Sequence, residues 1–391
     1  MSRLFQKNSV TRLGVVVLAV LTLSAGMVDT TIRAATLPTP AHTEFVYVGT
    51  SQSQISALRF DTSTGQLTAI GPVAQGLKST WVAAHPDLPI LYAVDDDSTK
   101  EGSITAYAAD RGTGALTRVN AVLTGGRGTT YLRFDPASMT LLGANYNSGS
   151  VSSVAVNPDG SVGELVSTIA ETGSGPNRRQ ASAHAHSIAI DPSGKYALVP
   201  DLGADRVFIY RFDRATHALS QDDDAHPHAF IAPSGSGPRH IEFGANGRFV
   251  YLLTELNAEI MVFRWDASQK ELTFVQALPI TSQTFDGVKS AAEIAVSHDG
   301  RFVYVENRAE NSLMVYGVSP DTGELSLVQR VSSGGDKPWG FGIDSSGRWL
   351  LVANQRSGKV NVFSIDPVSG KVADTGQSAD VPGPTSVAFV K

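Results

Sequence analysis

Cysteine is absent from the 391 residues. That excludes disulfides, thiolate metal sites, a cysteine nucleophile and a lipid-modified cysteine anchor. A chain of this size can bury enough apolar surface without cross-links, even in a compartment that permits them. Apart from one N-terminal run, no stretch sustains a 3.6-residue apolar repeat, so helix is nearly excluded. There is no Gly-x-Ser-x-Gly nucleophile elbow, no phosphate loop and no dinucleotide fingerprint. The longest apolar run, Gly14 to Leu23, is too short to span a bilayer comfortably and follows Arg3, Lys7 and Arg12. Residues 1–35 are therefore expected to be a signal peptide and linker, cleaved after Gly26 or near Ala35, with the folded part periplasmic or secreted. An uncleaved segment would act as a membrane anchor and still leave the folded part outside the cytoplasm. A surplus of positive charge is also missing. The formal charge is −6, and removing residues 1–35 takes away four basic residues and one acid, leaving −9. Neither nucleic acid nor an anionic membrane is an expected partner. The expectation is a monomer acting on a small molecule.

What is present is turn and strand chemistry: 37 Gly and 19 Pro, with abundant Thr, Ser and Val. A Pro/Thr-rich linker from Ala35 to Thr43 leads into a unit repeated roughly every 50 residues. Seven short apolar runs recur, at Trp81–Ala84, Tyr131–Phe134, Ser187–Ile190, His240–Phe243, Glu293–Val296, Gly340–Ile343 and Ser386–Phe389. Turns such as Asp191-Pro192-Ser193-Gly194 and Ala245-Asn246-Gly247 follow them. Seven second strands then begin at Phe45, Ile90, Thr140, Lys195, Arg248, Arg301 and Arg348. Third strands end at turns of the type Asp-x-x-Thr-Gly-x-Leu, as from Asp61 to Leu67 and Asp110 to Leu116. The predicted fold over 44–391 is all-β, a seven-bladed β-propeller of four-stranded antiparallel blades. The first copy lacks an inner strand and the last inner strand has no followers. Closure is therefore predicted to pair the C-terminal Thr385–Val390 with Phe45–Gly49 of the N-terminal blade.

In such a ring, entrances to first strands and exits of second strands crowd one rim of the central channel. Entrances bring His184, His186, Arg239, His240, Glu293 and Trp339 to that rim. Exits bring Asp95, Asp96, Asn145, Tyr146, Asp201, Glu255, Asn257, Asn307, Arg308, Asn354 and Gln355. Asn and Asp at strand exits commonly cap local backbone. Turns do not call for Arg, Glu or His at these offsets, which singles out His186, Arg239, Glu255 and Arg308. An inter-blade Arg–Glu pair or a hydrogen-bonded histidine is the structural alternative. His184-x-His186 has the spacing of a metal pair, but no third ligand is evident. His226-Pro227-His228, after Asp222-Asp223-Asp224, reads as a solvated acidic loop. No metal and no cofactor are expected.

Almost all of 44–391 resembles the seven-bladed propeller lactonase family, which contains propeller-type 6-phosphogluconolactonases and fungal carboxy-cis,cis-muconate cyclases. The resemblance is carried by His184-Ala185-His186-Ser187, Pro200-Asp201-Leu202-Gly203-Ala204-Asp205-Arg206, Gly237-Pro238-Arg239-His240, Thr254-Glu255-Leu256-Asn257, Ala292-Glu293-Ile294 and Glu306-Asn307-Arg308. It implies that His186, Arg239, Glu255 and Arg308 match the active-site quartet proposed for the cyclases. Family members often have Pro-Arg-Gly-Phe where this chain has Pro338-Trp339-Gly340-Phe341. That difference and the export signal argue against a phosphorylated substrate. The expected function is lactone hydrolysis: His186 as base, Arg239 and Arg308 on a carboxylate or the oxyanion, and Glu255 orienting these groups or returning a proton. His184, His240, Asn257, Glu293, Trp339 and Asn145 are expected to bind substrate. A lactonising cyclase and a non-catalytic binding platform are the rival readings.

Overall fold

The computed structural model describes residues 42–221 and 228–390. The signal-like N-terminus and the Asp222–Pro227 part of the acidic loop lie outside the described residues. Seven antiparallel sheets follow one another in chain order, each running from an inner to an outer strand. Blade 1 is composite. Its inner strand is the C-terminal Pro384–Val390, which pairs with Thr43–Thr50 in the register Phe45↔Val390 to Gly49↔Ser386. The predicted closure is therefore present, and its physical role is to leave no free end in the ring. Blades 2 to 7 have inner strands Val82–Ala84, Thr129–Asp135, Ala189–Ile190, Pro238–Phe243, Ala291–Val296 and Pro338–Ile343.

The core consists of seven apolar clusters, one between each pair of adjacent blades. Second strands such as Phe249–Thr254 are buried on both faces, which explains their unbroken β-branched and aromatic runs. Tyrosines on these strands also tie blades together. Tyr47, Tyr92 and Tyr304 donate their hydroxyls to the carbonyls of Gly114, Gly160 and Gly370, turn residues of a neighbouring blade, at 3.0, 2.9 and 3.1 Å.

Blade 4 departs from the simple repeat at two places. Its outer strand is split into Ala218–Ser220 and Ala229–Ile231, both paired with Arg206–Asp213. Its inner strand is shorter than the predicted Ser187–Ile190. The neighbouring second strand carries Pro200, which has no N–H to donate, so the ladder reduces there to the Ala185↔Asp201 bridge. His186 N–H still donates to the Pro200 carbonyl at 3.0 Å.

Candidate active site at the channel mouth

One backbone corner recurs round the ring and aims side chains into the mouth. In six blades a residue one or two positions past the second strand donates its N–H to a carbonyl just before the inner strand, and in blade 6 the bond shifts by one residue, from Ala309 to Ser290 at 3.2 Å. Asp96 donates to Lys78, Tyr146 to Gly128, Leu202 to His184, Glu255 to Gly237, Gln355 to Lys337 and Ser51 to Gly383, at 2.7 to 3.0 Å. Two residues beyond each of these carbonyls, the inner strand of blades 3, 5 and 7 bulges, at Thr130, Arg239 and Trp339. Blade 6 bulges at Ala292 and Glu293. A bulge inserts an unpaired residue and re-aims its side chain. His186 occupies the same position in the loose inner strand of blade 4, and Thr80 occupies it in blade 2. At the carbonyl position Gly128, Gly237 and Gly383 have φ of 62°, 63° and 59°, and Lys337 adopts 59° with a full side chain. A left-handed lysine is costly and is held there by the same corner bond.

The quartet occupies these two ring positions. Arg239 is a bulge residue and His186 holds the matching position ahead of its short inner strand; Glu255 and Arg308 follow the last residues of their second strands. Glu255, 2% exposed, is the hub. Its Oε1 lies 2.8 Å from Arg308 Nη2 and also accepts from Arg179 Nη1. Its Oε2 accepts from Arg239 Nε at 3.1 Å, with His186 Nε2 at 3.9 Å. Burial alone would raise the Glu255 carboxyl, but Arg308, Arg239 and Arg179 together outweigh it and hold it far below the usual range. It stays ionised throughout the working range. That environment suits the orienting role expected for Glu255 better than the return of a proton to the leaving group.

His186 is also shaped by its burial. Burial, and then Arg239 and His240, hold its imidazole well below the usual histidine value. The neutral form is therefore favoured over the imidazolium. Its Nδ1 is buried without a hydrogen-bond partner. Burial and the charge of Arg308 also pull Arg239 down to about 10.

His186, Glu255 and Arg308, but not the buried Arg239, line a cavity of about 470 Å³ together with Lys78, Asp96, Ser98, Thr130, Tyr146, Asn147, Arg179, Ser290, Lys337 and Trp339. Four of its side chains are cationic and two are carboxylates. The Arg308 guanidinium lies 4.3 Å from the centre of the Trp339 ring, with Lys337 Nζ at 5.1 Å, and Arg308 Nε donates to Ser290 Oγ at 3.0 Å. With Trp339 at this position the pocket is still well supplied with cations. A larger cavity of about 1020 Å³ on the turn face, beside Tyr251, Gln276 and Phe302, has no comparable convergence of charge.

Of the predicted substrate-binding residues, only Trp339 lines this cavity. His184 sits behind Tyr146, stacked at 4.5 Å, with its Nδ1 2.7 Å from the Tyr146 carbonyl. His240 and Glu293 are buried deeper and pair at 2.7 Å. Asn145 is fully buried and bonded to Thr129, Ser150 and Ser152. Asn257 is bonded to Thr254 and Glu259. Each is taken by structure, because it lies one or more positions away from the two that face the mouth. The sequence reading missed Arg179, Lys78, Lys337 and Ser290. Arg179 comes from the 171–188 loop, which has no strand register to place it. Buried Gln180 pins that loop through the Leu202 carbonyl at 2.8 Å and Asp205 at 2.7 Å. Its one sequence signal is the Arg178-Arg179 pair ahead of His184-Ala185-His186.

Comparison with known proteins decides the family. A family model described as "Lactonase, 7-bladed beta-propeller" matches residues 45–389. The chain belongs to the seven-bladed β-propeller lactonase family. It is 32% identical to the 6-phosphogluconolactonase of Bacillus subtilis, covering 88% of this chain and 97% of that one. It is 30% identical to the 6-phosphogluconolactonase of Formosa agariphila, over 85% and 94% of the two chains. Among solved structures, the periplasmic gluconolactonase of Pseudomonas aeruginosa superposes with a TM-score of 0.81 at 35% identity, covering 89% of this lactonase-family chain and 99% of the other.

Proposed function

We propose that this propeller lactonase is exported and opens a sugar lactone, or a related carboxylated one, by hydrolysis at the bulged channel mouth. The observation that carries the reading is the cationic pocket built on the Glu255 hub. Each guanidinium has five donors. Arg308 and Arg179 use only part of theirs on Glu255, Ser290 and Tyr146. The remainder suits an oxyanion, or a carboxylate on the substrate, and Glu255 keeps the donors oriented before substrate arrives. Neutral His186 contributes a hydrogen-bonding edge, and Trp339 an apolar wall. These cations fill the electrophile's role and repel a divalent ion, so we read the hydrolysis as metal-independent. Export rests on the N-terminal charge and apolar pattern; a similar chain in Pseudomonas aeruginosa is described as periplasmic.

The test is proton release from a panel of sugar and aliphatic lactones, with and without phosphate, in the presence of chelator. Arg308→Ala serves as the control. Turnover that the control loses supports the reading. Folded protein that leaves every lactone intact but cyclises a cis,cis-muconate favours the cyclase, and silence on both favours a binding platform. Mass spectrometry of the mature N-terminus, with cell fractionation, tests export.

A further inference from the structure

We infer that Asp96 is the general base of lactone opening, acting from the side of the pocket opposite the Glu255 hub. This rests on the lactonase reading above. Asp96 is the blade-2 counterpart of Glu255. Its N–H donates to the Lys78 carbonyl at 2.9 Å, as that of Glu255 donates to Gly237 at 2.7 Å. The neighbouring bulge position holds Thr80 in one blade and Arg239 in the other. The Thr80 hydroxyl donates to Asp96 Oδ2 at 2.9 Å, just as Arg239 Nε donates to Glu255 Oε2 at 3.1 Å. Adjacent blades pack in chain order, so blades 2 and 5 stand three apart in a ring of seven, as far across the mouth as two blades can be. A substrate between them meets a carboxylate on each side.

The two carboxylates differ in what surrounds them. Both Glu255 oxygens are engaged by guanidinium groups. Asp96 has the Thr80 hydroxyl and Lys78 Nζ at 3.9 Å, and among the described residues it is the one carboxylate in the cavity wall without an arginine partner. Its side chain is 16% exposed, so it is largely dry but open to the pocket. Asp95 and Asp97 flank it, and Lys100 balances both at 2.7 and 3.9 Å. Arg179, Arg308 and Lys337 share the cavity with it. Burial pushes its carboxyl up to about 6, with Asp95 and Asp97 adding to the rise and Lys78 and Thr80 opposing it. A base of that strength is ionised at neutral pH and can still hold a proton briefly. The other candidates in the pocket lack this balance: Glu255 is locked ionised and His186 resists protonation.

The step balances as follows. A water oxygen bonds to the lactone carbonyl carbon while Asp96 takes one of its protons. The carbonyl π electrons move to an oxyanion facing Arg308 and Arg179. Collapse breaks the bond from the acyl carbon to the ring oxygen, and that alkoxide receives the proton from Asp96. The product is the open hydroxy acid, which releases its own proton to solvent.

The test follows kcat and KM against pH, from about 4.5 to 9, on a lactone that the full parent chain opens. The parent is expected to show an acid limb with a midpoint near 6. Asp96→Asn should lower kcat by at least about 100-fold with little change in KM, and should abolish that limb. Thr80→Val removes the hydroxyl that favours the charged form, so its acid limb should shift to higher pH. This second variant keeps the inference testable if Asp96→Asn folds poorly. An Asp96→Asn enzyme that keeps its rate and its acid limb overturns the inference, and so does a Thr80→Val limb that stays in place. A parent with no turnover on any lactone overturns the lactonase reading instead, before either variant is compared.

Discussion

The corners of blades 2 and 5 share one backbone design and treat a carboxylate in opposite ways. Each has an exit acid bonded to a carbonyl across the strand pair and a bulge residue donating to that acid. In blade 5 the donor is an arginine, and two further arginines converge from Arg179 and Arg308. In blade 2 the donor is a hydroxyl and the nearest cation is a lysine at 3.9 Å. Geometry is therefore not what separates a structural acid from a titrating one. The number of guanidinium groups within reach separates them, because only together do they favour the ionised form by more than burial disfavours it.

Replacing the hub should have the largest effect. Glu255→Gln leaves three guanidinium groups facing one another around a neutral amide, with Arg239 only 2% exposed. Removing one partner from a buried ion network costs about 3–5 kcal/mol. Urea unfolding is expected to show a loss of that order, together with loss of lactone turnover. The blade 2 acid should behave differently, since Asp96→Asn is expected to keep its stability while losing rate and acid limb. Equal stability losses from the two substitutions would erase the contrast.

Arg308→Ala should come next. It removes one donor from the oxyanion side while Arg239 and Arg179 still hold Glu255. Steady-state kinetics should show kcat/KM falling by about 10²–10³.

Glu293 gives a third way of treating a buried acid. It lies behind Arg239, accepts from the Ile294 N–H at 3.0 Å, and its Oε2 has no hydrogen-bond partner. Burial pushes it up to about 8, against the opposing pull of Arg239. The unfolded carboxyl ionises near 4.5, so the unfolded state binds fewer protons between 4.5 and 8. The contribution of Glu293 to stability is thus greatest at low pH, falls as pH rises through that window, and levels off above it. Glu293→Gln should remove its share of the slope and be more stable than the parent at pH 8, on the order of 1–3 kcal/mol. Denaturant midpoints across pH measure it, and an unchanged slope would place the buried proton elsewhere.

The smallest effect belongs to Asn257. Asn257→Ala loses bonds to Thr254 and Glu259 just outside the mouth. About 0.5–1.5 kcal/mol of stability should be lost, with kcat/KM unchanged.

Much of this was legible in the chain. Period-2 strands, turns at fixed offsets and an unmatched strand at each end imply seven blades and their closure, because each follows from local backbone preference and the need to pair every edge. Convergence of His186, Arg239, Glu255 and Arg308 follows from the same register. The run Asp95-Asp96-Asp97 shows where that reasoning ends. Asp95 accepts from the Lys78 N–H and Lys100, Asp97 caps Thr99, and Asp96 alone of the three lines the pocket. The caps at Asn145 and Asn307 stand one residue before Tyr146 and Arg308, which line the pocket, and composition cannot distinguish neighbours in a polar exit.

By itself, then, the sequence determined the repeat, the ring and the family, since these depend on local pattern summed over many residues. Only the tertiary structure decided which acid is locked and which can take a proton. That outcome depends on arginines delivered from blades 5 and 6 and from the 171–188 loop, and charge interactions act through space without regard to position along the chain.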